Sequence, residues 1–310
     1  MSAGSRLRKL VTGAPAAVGG AARMVEVTLA DALAAAGVGG AQTPDDPFDA
    51  WDPAYIAQTL PALRLLSEVY FRAEVSGLER IPAEGPVLLV GNHSGGTVIA
   101  DTFVFSQAFY HHFGPRRPFH QLAHDQVFKV PGPRTMVQRY GTVPASPENM
   151  RRALGRGAAL LVYPGGDEES FRPSWESTKV DFAGRKGFVR LALEQRVPLI
   201  PVVALGGQET GLFMGRGRRV ARALSLDRAA RIRVVPPVLG PPVGTTIMDL
   251  PIRFPLPAKI RIRVMPPIEL HEEVGADGDR AVEEGYRLVT SRMQRTLTRL
   301  ANQRSVPVVG

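Results

Sequence analysis

The sequence predicts an α/β fold, a mixed and mostly parallel sheet flanked by helices, with an N-terminal amphipathic helical segment. Short apolar runs of strand length alternate with longer amphipathic runs of helix length, which is typical of a sheet covered on both faces. The expected strands are residues 87–90, 158–163 and 199–204. The expected helices between them are residues 102–113, 147–156 and 185–195. A late strand over 259–264 and a long helix over 281–301 complete the pattern.

Three regions follow one another along the chain. Residues 1–50 are basic and rich in alanine and glycine, so we expect a flexible region with one possible short helix over 24–36 that Gly37 would end. Residues 51–85 contain an amphipathic helical segment, with apolar residues at three- and four-residue steps over 53–71, and then a turn. That helix either packs on the core or rests on a membrane surface. Residues 86–310 hold the strands and helices of the main domain.

Composition narrows the classes of function. The 310 residues contain no cysteine, which excludes disulfides, cysteine-ligated zinc and a thiol nucleophile. No apolar run approaches the roughly 18 residues that a membrane-spanning helix needs. Glycines and Pro15 interrupt the apolar part of the N-terminus, so we expect no secretory signal there.

The net charge of +9 favours anionic partners, and much of the excess lies between residues 216 and 233. The segment has one acidic residue, Asp227, to offset the positive charge of its arginines. These are Arg216, Arg218, Arg219, Arg222, Arg228, Arg231 and Arg233. Nucleic-acid binders usually interleave aromatic residues for base stacking, and this segment has none. The arginines therefore favour a solvated helix face, lipid headgroups or cofactor phosphates over nucleic acid.

Three glycine-rich polar loops follow the expected strands. They are GNHSGGTVIAD at 91–101, PGGDEESFRP at 164–173 and GGQETG at 206–211. Open α/β sheets bind ligands at the carboxyl ends of their strands, where such loops leave for the next helix. The three loops are therefore expected to line one edge of the sheet together.

The first loop contains a candidate general base, His93. A histidine beside two glycines at a strand end can titrate near neutrality and remove a proton from a hydroxyl group. Gly95 and Gly96 either supply unusual backbone angles or direct N–H groups at a developing negative charge. Asp101 either caps the following helix or accepts a hydrogen bond from His93, and both roles are compatible.

Other signatures of chemistry are absent from the sequence. It contains no G-x-S-x-G elbow, no G-x-x-x-x-G-K-[ST] loop and no H-E-x-x-H motif. Four histidines cluster in sequence with a spacing that matches no familiar metal site: His111, His112, His120 and His124. We therefore expect no metal.

Four blocks in order along residues 65–305 resemble the glycerolipid acyltransferase superfamily. They are NHSGGTVIAD, MVQRYGTVPAS with its arginine at 139, LVYPGGDEES and VPLIPVVALGG. The Pro-Gly-Gly of the third block is similar to the monoacylglycerol and diacylglycerol acyltransferase-like branch. The resemblance implies a glycerolipid acyltransferase-like fold, with residues 86–310 as the acyltransferase domain.

The resemblance also implies an acyl-CoA-dependent glycerolipid O-acyltransferase that is cytoplasmic and peripherally associated with an anionic membrane. Acyl-CoA would be a co-substrate, with no permanently bound cofactor, no metal and no nucleic acid. The acceptor would be a lysophospholipid, lysophosphatidate, or mono- or diacylglycerol. His93 would take the proton of the acceptor hydroxyl and Asp101 would stabilise the imidazolium. The implied substrate-binding residues are Asn92, Ser94, Gly95, Gly96, Arg139, Gly165, Gly166, Glu168, Glu169 and Arg172.

Two departures from the family pattern define the alternatives. Seven residues separate His93 from Asp101 where the family's commonest block has four, so Asp125 is a reserve candidate. The same departure motivates an alternative function, a catalytically inactive lipid or acyl-CoA binding protein of the same fold.

In the third block Gly165 replaces the family's glutamate and Glu168 stands in place of its arginine. A carboxylate there repels a phosphorylated headgroup. Arg139 and Arg172 could still bind a phosphate, so lysophosphatidate stays among the expected acceptors.

Overall fold

A computed structural model describes residues 44–97, 99–129, 133–223, 225, 234–241, 244–246, 249, 253–275, 278–306 and 308. The helix expected over 24–36 and the last three arginines of the basic segment lie outside these residues. In chain order the strands are β1 (Glu74–Ser76), β2 (Val87–Gly91), β3 (Phe119–Ala123), β4 (Thr142–Pro144), β5 (Ala159–Val162), β6 (Leu199–Leu205), β7 (Leu212–Phe213), β8 (Val238–Gly240), β9 (Gly244–Thr246) and β10 (Arg261–Val264).

Seven of these strands form the central sheet, in the order β1-β10-β6-β2-β5-β3-β4. All neighbours are parallel except β10, which runs antiparallel to β6. Strands β7, β8 and β9 form a separate antiparallel sheet. The predicted mixed and mostly parallel sheet is thereby confirmed. Three strands of this sheet were not predicted from the sequence: β1, β3 and β4, which lie toward its two edges.

Helices cover the sheet. They are α1 (Pro53–Leu65), α2 (Ala100–Phe113), α3 (Pro133–Arg139), α4 (Pro147–Gly155), α5 (Gly166–Ser170), α6 (Gly187–Gln195), α7 (Arg218–Ala223), α8 (Leu270–Glu273) and α9 (Asp279–Asn302). Short 3-10 helices occur at Pro47–Ala50, Leu78–Arg80, Asp125–Lys129, Ser174–Glu176 and Gly207–Thr210.

Alternation along the central strands builds a core on each face. In β2, Val87 and Leu89 join an apolar cluster with α1 and α2, while Leu88 and Val90 join a second cluster with α4, α6 and α9. All of these β2 side chains are fully buried, as expected for a strand covered on both sides.

The segment expected to be helical over 53–71 has one packed face. Helix α1 begins at its N-cap Asp52, continues through Pro61 and is followed by a π-helical turn at Leu66–Tyr70. Ile56 and Leu63 are buried against the sheet, which agrees with a core-packed helix. Within the described part of the chain, no helix combines the length and the apolar character needed to cross a bilayer.

Candidate active site

The three glycine-rich loops leave neighbouring strands at one edge of the sheet. Strand β2 lies between β5 and β6 and is parallel to both, so the three carboxyl ends face the same way. The loops after these strands exchange hydrogen bonds. Gly95 N–H donates to Gln208 of the third loop (3.1 Å), and Gly96 N–H donates to the Ser170 carbonyl of the second (3.1 Å).

His93 lies just beyond β2, with its ring stacked on Tyr163. The ring centroids are 4.4 Å apart and the planes are inclined by 21°. The His93 side chain is 15% exposed, yet its Nδ1 atom is buried and has no hydrogen-bond partner. Because Nδ1 is buried, the exposed part belongs to other atoms of the side chain. The ring is thus held by packing against Tyr163, and the side chain is not fully enclosed.

Asp101 faces His93 despite the long interval between them. Its Oδ1 lies 4.0 Å from His93 Nδ1, longer than a hydrogen bond, and its Oδ2 accepts from both the N–H and the hydroxyl of Ser94 (3.0 and 2.9 Å). These two bonds to Ser94 fold the intervening turn back onto the helix. Asp101 is the second residue of α2 rather than its N-cap, which is Ile99. The N-cap alternative for Asp101 is therefore wrong, because the helix begins at Ala100, two residues before the expected start at residue 102.

The second loop holds the His93 backbone at both of its polar groups. The N–H of His93 donates to Glu169 Oε2 (2.9 Å), and the His93 carbonyl accepts from the Arg172 guanidinium (2.6 Å). Glu169 and Arg172 are themselves fully buried and 3.9 Å apart. Arg172 also donates to the carbonyls of Glu169, Glu176 and Ser177. Glu169 and Arg172 therefore fix the position of the histidine, and Arg172 has no exposed surface to offer a phosphate.

Backbone N–H groups of the first loop are already engaged. Besides those of His93, Gly95 and Gly96, the N–H of Ser94 donates to Asp101 and that of Thr97 donates to Asp249 (2.6 Å). The expectation that Gly95 and Gly96 direct N–H groups at a developing charge is thus not met in this conformation. Both glycines instead have positive φ, 94° and 70°. A side chain at Gly96 would also clash with Phe213, so glycine is required for the fold of the loop.

A buried ion pair supports the loop from its other side, and sequence reasoning missed it. Arg253 Nε donates to Asp249 Oδ1 (2.6 Å), and its remaining nitrogens donate to the Thr210 and Gly95 carbonyls (2.6 and 3.0 Å). Both side chains are almost completely buried. Neither residue lies in a recognisable motif, so only the fold brings them to the site. Tyr163 was also missed, although it directly precedes the Pro-Gly-Gly of the second loop.

The other residues expected to bind substrate at this edge have structural partners. Asn92 is buried and exchanges two hydrogen bonds with the backbone of Ala204 in β6 (2.9 and 2.8 Å). Gly165 lies against Glu169, and a side chain there would overlap it. Gly166, with φ of 52°, lies against Arg185 in the same way. Glu168 accepts from Arg218 (2.6 and 3.0 Å) and lies 3.8 Å from Arg216, so two arginines of the basic segment neutralise it.

Arg139 lies away from the other candidates. It precedes β4, whose first residue, Thr142, pairs with Gln121 in the middle of β3. Because these strands are parallel to β2, the residues before β4 lie toward the amino edge of the sheet, opposite His93. There Arg139 stacks over the Tyr55 ring (4.6 Å) and lies 3.7 Å from Asp52. The expectation that Arg139 joins the substrate site is not supported by this topology.

The environment of His93 favours its neutral form. Burial lowers the pKa of His93 below its ordinary value of 6.5, Asp101 partly opposes this by raising the pKa, and Arg172 lowers it. A neutral imidazole is the form that accepts a proton, so His93 is available as a base at pH 7. In the described ranges, no group of three or more acidic, histidine or cysteine side chains is arranged to hold a metal ion.

NMR titration of the ring tests this environment. We expect His93 to protonate below pH 6.5, and below the wild-type value again in Asp101→Asn, because that change removes the one contribution that raises the pKa. The imidazole resonances assigned by the His93→Ala variant report both values. A wild-type pKa at or above 6.5 would contradict the buried position of the ring.

Comparisons with known proteins find one matching family model and several relatives. A family model described as Acyltransferase matches residues 72–205. An uncharacterised protein of Mycobacterium tuberculosis is 30% identical over 249 residues, covering 79% of this chain and 66% of its own length. The bovine "DGAT1/2-independent enzyme synthesizing storage lipids" is 31% identical over 156 residues, or 50% of this chain and 45% of that one. The chain thus spans about two thirds of the mycobacterial relative.

A solved structure also aligns with the chain. It is the 1-acyl-sn-glycerophosphate (LPA) acyltransferase PlsC from Thermotoga maritima, with a TM-score of 0.47 and 16% identity. The alignment covers 81% of this chain and 84% of that one.

Proposed function

The chain belongs to the glycerolipid acyltransferase superfamily, and we propose that it transfers a fatty acyl group from acyl-CoA to a hydroxyl group of a glycerolipid. One observation carries the proposal: a buried carboxylate, Asp101, faces a neutral and partly exposed histidine, His93, at the carboxyl edge of an α/β sheet. The relatives named for the synthesis of storage lipids support a lipid as the proposed acceptor.

The proposed step needs no covalent enzyme intermediate. His93 takes the proton of the acceptor hydroxyl while that oxygen attacks the thioester carbonyl. The C–S bond then breaks, CoA leaves as the thiolate, and the imidazolium returns its proton to the sulfur. Asp101 stabilises the imidazolium. We propose that substrate binding shortens the 4.0 Å separation to hydrogen-bond length, because catalytic hydrogen bonds are often long without substrate.

The charges at the site favour a neutral acceptor. Of the two arginines expected to hold a phosphate, Arg172 is buried among backbone carbonyls and Arg139 lies toward the opposite edge of the sheet. Arg216 and Arg218 are engaged by the Glu168 carboxylate, so their charges are already balanced where a phosphate would bind. We therefore propose that mono- or diacylglycerol is preferred to lysophosphatidate.

An acceptor panel tests the proposal. Purified protein is incubated with radiolabelled acyl-CoA and, separately, with monoacylglycerol, diacylglycerol, lysophosphatidylcholine or lysophosphatidate, and the lipid products are separated. The proposal predicts labelled product, with the highest kcat/KM for a neutral acceptor. An acyl-CoA binding protein without activity would retain label and form no product, which would contradict the proposed function. Product from lysophosphatidate alone would contradict only the proposed acceptor.

A further inference from the structure

An exposed apolar surface lies beside the candidate active site. Leu212 of β7 and Leu239 of β8 are directly paired across the small sheet, so their side chains share a face, and both are more than 40% exposed. Met214, the residue directly after β7, is also exposed. Trp175 is 69% exposed. We call these four residues the apolar rim.

Trp175 and the small sheet are joined by the residue before the tryptophan. The Ser174 hydroxyl accepts from the Phe213 N–H (2.9 Å) and donates to the Gly211 carbonyl (3.3 Å). Phe213 is buried on the opposite face of β7 and would meet any side chain placed at Gly96. Leu212 and Leu239 of the apolar rim therefore lie on the outer face of the small sheet, and Phe213 on its inner face contacts the loop that carries His93.

Helix α7 adds positive charge next to the apolar rim. It follows β7 after four residues, and Arg218, Arg219 and Arg222 are exposed on it together with Val220. Arg218 pairs with Glu168, and the preceding Arg216 is neutralised by Glu176 and Asp181. Arg219 and Arg222 give the surface a positive border. Tryptophan, leucine and methionine beside arginine are the composition of a surface that inserts between anionic lipid headgroups.

We propose that the apolar rim is the surface by which the protein docks on an anionic bilayer, with Trp175 at the headgroup level. This inference rests on the proposed function, since a lipid acceptor has to reach His93 from a membrane. It assigns the docking to the small sheet and Ser174–Glu176 rather than to the amphipathic helix α1, whose apolar face packs on the core.

Tryptophan emission tests the position of Trp175. The chain has two tryptophans, and the other, Trp51, is half-buried and donates to the hydroxyl of the buried Tyr110. Vesicles of phosphatidylcholine with phosphatidylserine should shift the emission to the blue, and brominated lipid should quench it. Both effects should be absent in Trp175→Phe. An unchanged emission in the wild-type protein that nevertheless binds vesicles would overturn the proposal.

Matched pairs of substitutions locate the surface. The change Leu212→Ser with Leu239→Ser should lower the partition coefficient onto anionic vesicles by about tenfold or more. The control, Leu65→Ser with Val69→Ser, alters two apolar residues that are at least as exposed, one at the end of α1 and one in the π-helical turn after it. It should change partition by less than about twofold. The proposal would be overturned if the control variant lost partition and the Leu212 and Leu239 variant kept it. It would also be overturned if the wild-type protein did not bind vesicles, or if it formed dimers through the apolar rim without lipid.

Turnover separates this proposal from the proposed function. With a short-chain acceptor dissolved as monomers, the Leu212 and Leu239 double variant should keep wild-type kcat, while its rate on acceptor in vesicles should fall. A protein that binds vesicles through Trp175 but transfers no acyl group would contradict the function and leave the docking surface in place.

Discussion

Replacing His93 with alanine should lower kcat by about 100- to 10,000-fold, the usual contribution of a positioned general base. The ring lies beside Asp101 and its backbone is held by Glu169 and Arg172, so removing only the imidazole should leave the loop in place. Acyl-CoA affinity and the circular dichroism spectrum should therefore change little. Steady-state kinetics with a neutral acceptor, together with equilibrium binding of acyl-CoA, measure the two effects.

The matched control is His111→Ala. His111 is exposed in the last turn of α2, at the opposite end of that helix from Asp101, and should keep wild-type kcat. Retention of wild-type kcat by His93→Ala would remove the proposed base. Equal losses in the two variants would point to a general loss of folded protein.

Replacing Arg172 with methionine should lower the free energy of unfolding by about 3–5 kcal/mol, the range for breaking a buried ion pair. The change leaves the Glu169 carboxylate buried without its cation, and the carbonyls of His93, Glu176 and Ser177 lose their donor. Urea unfolding followed by circular dichroism measures the effect.

The pH dependence of the stability lost in Arg172→Met distinguishes the effect of the missing charge from the effect of altered packing. Burial raises the pKa of Glu169 from 4.5 to about 7, and Arg172 opposes the rise. Because the folded-state pKa is above the unfolded value, Glu169 favours folding less as pH rises from 4.5 through 7. At pH 5 the buried carboxyl is largely protonated and needs its cation less. Arg172→Met should thus be more destabilising at pH 8 than at pH 5.

A surface ion pair provides the control for this prediction. Arg292→Met breaks the pair between Arg292 of the long helix α9 and Glu273 at the end of α8. Both side chains are about one third exposed, so the change should cost only about 0–1 kcal/mol at either pH. A loss of similar size in both arginine variants would contradict the structural role of Arg172.

The central part of the fold was predictable because its strands are continuous apolar runs and the helices between them have amphipathic sequences. The continuous apolar runs of β2, β5 and β6 predict buried parallel strands, and the observed bounds differ from the expected ones by at most one residue at an end. Strands β1 and β4 have only three residues each and show no period, so the sequence alone could not predict them.

The candidate site was likewise predictable only in part. His93 and Asp101 were recognisable because they follow a strand end and belong to a sequence block that resembles the first block of the acyltransferase superfamily. The partners of the first loop were not, since Asp249 and Arg253 come from a segment more than 140 residues away whose sequence has no motif. The roles of Asn92, Glu169 and Arg172 depend on which backbone groups they meet, and spacing along the chain does not predict those contacts.

Acceptor-dependent release of CoA is the most direct test of acyl transfer by His93. Purified protein is mixed with acyl-CoA, with and without diacylglycerol, and free thiol and acylated lipid are counted in the same samples. We expect thiol release only when the acceptor is present, one acylated lipid for each thiol, and loss of both in His93→Ala. Wild-type protein that binds acyl-CoA but releases no thiol with any glycerolipid hydroxyl would contradict acyl transfer by His93.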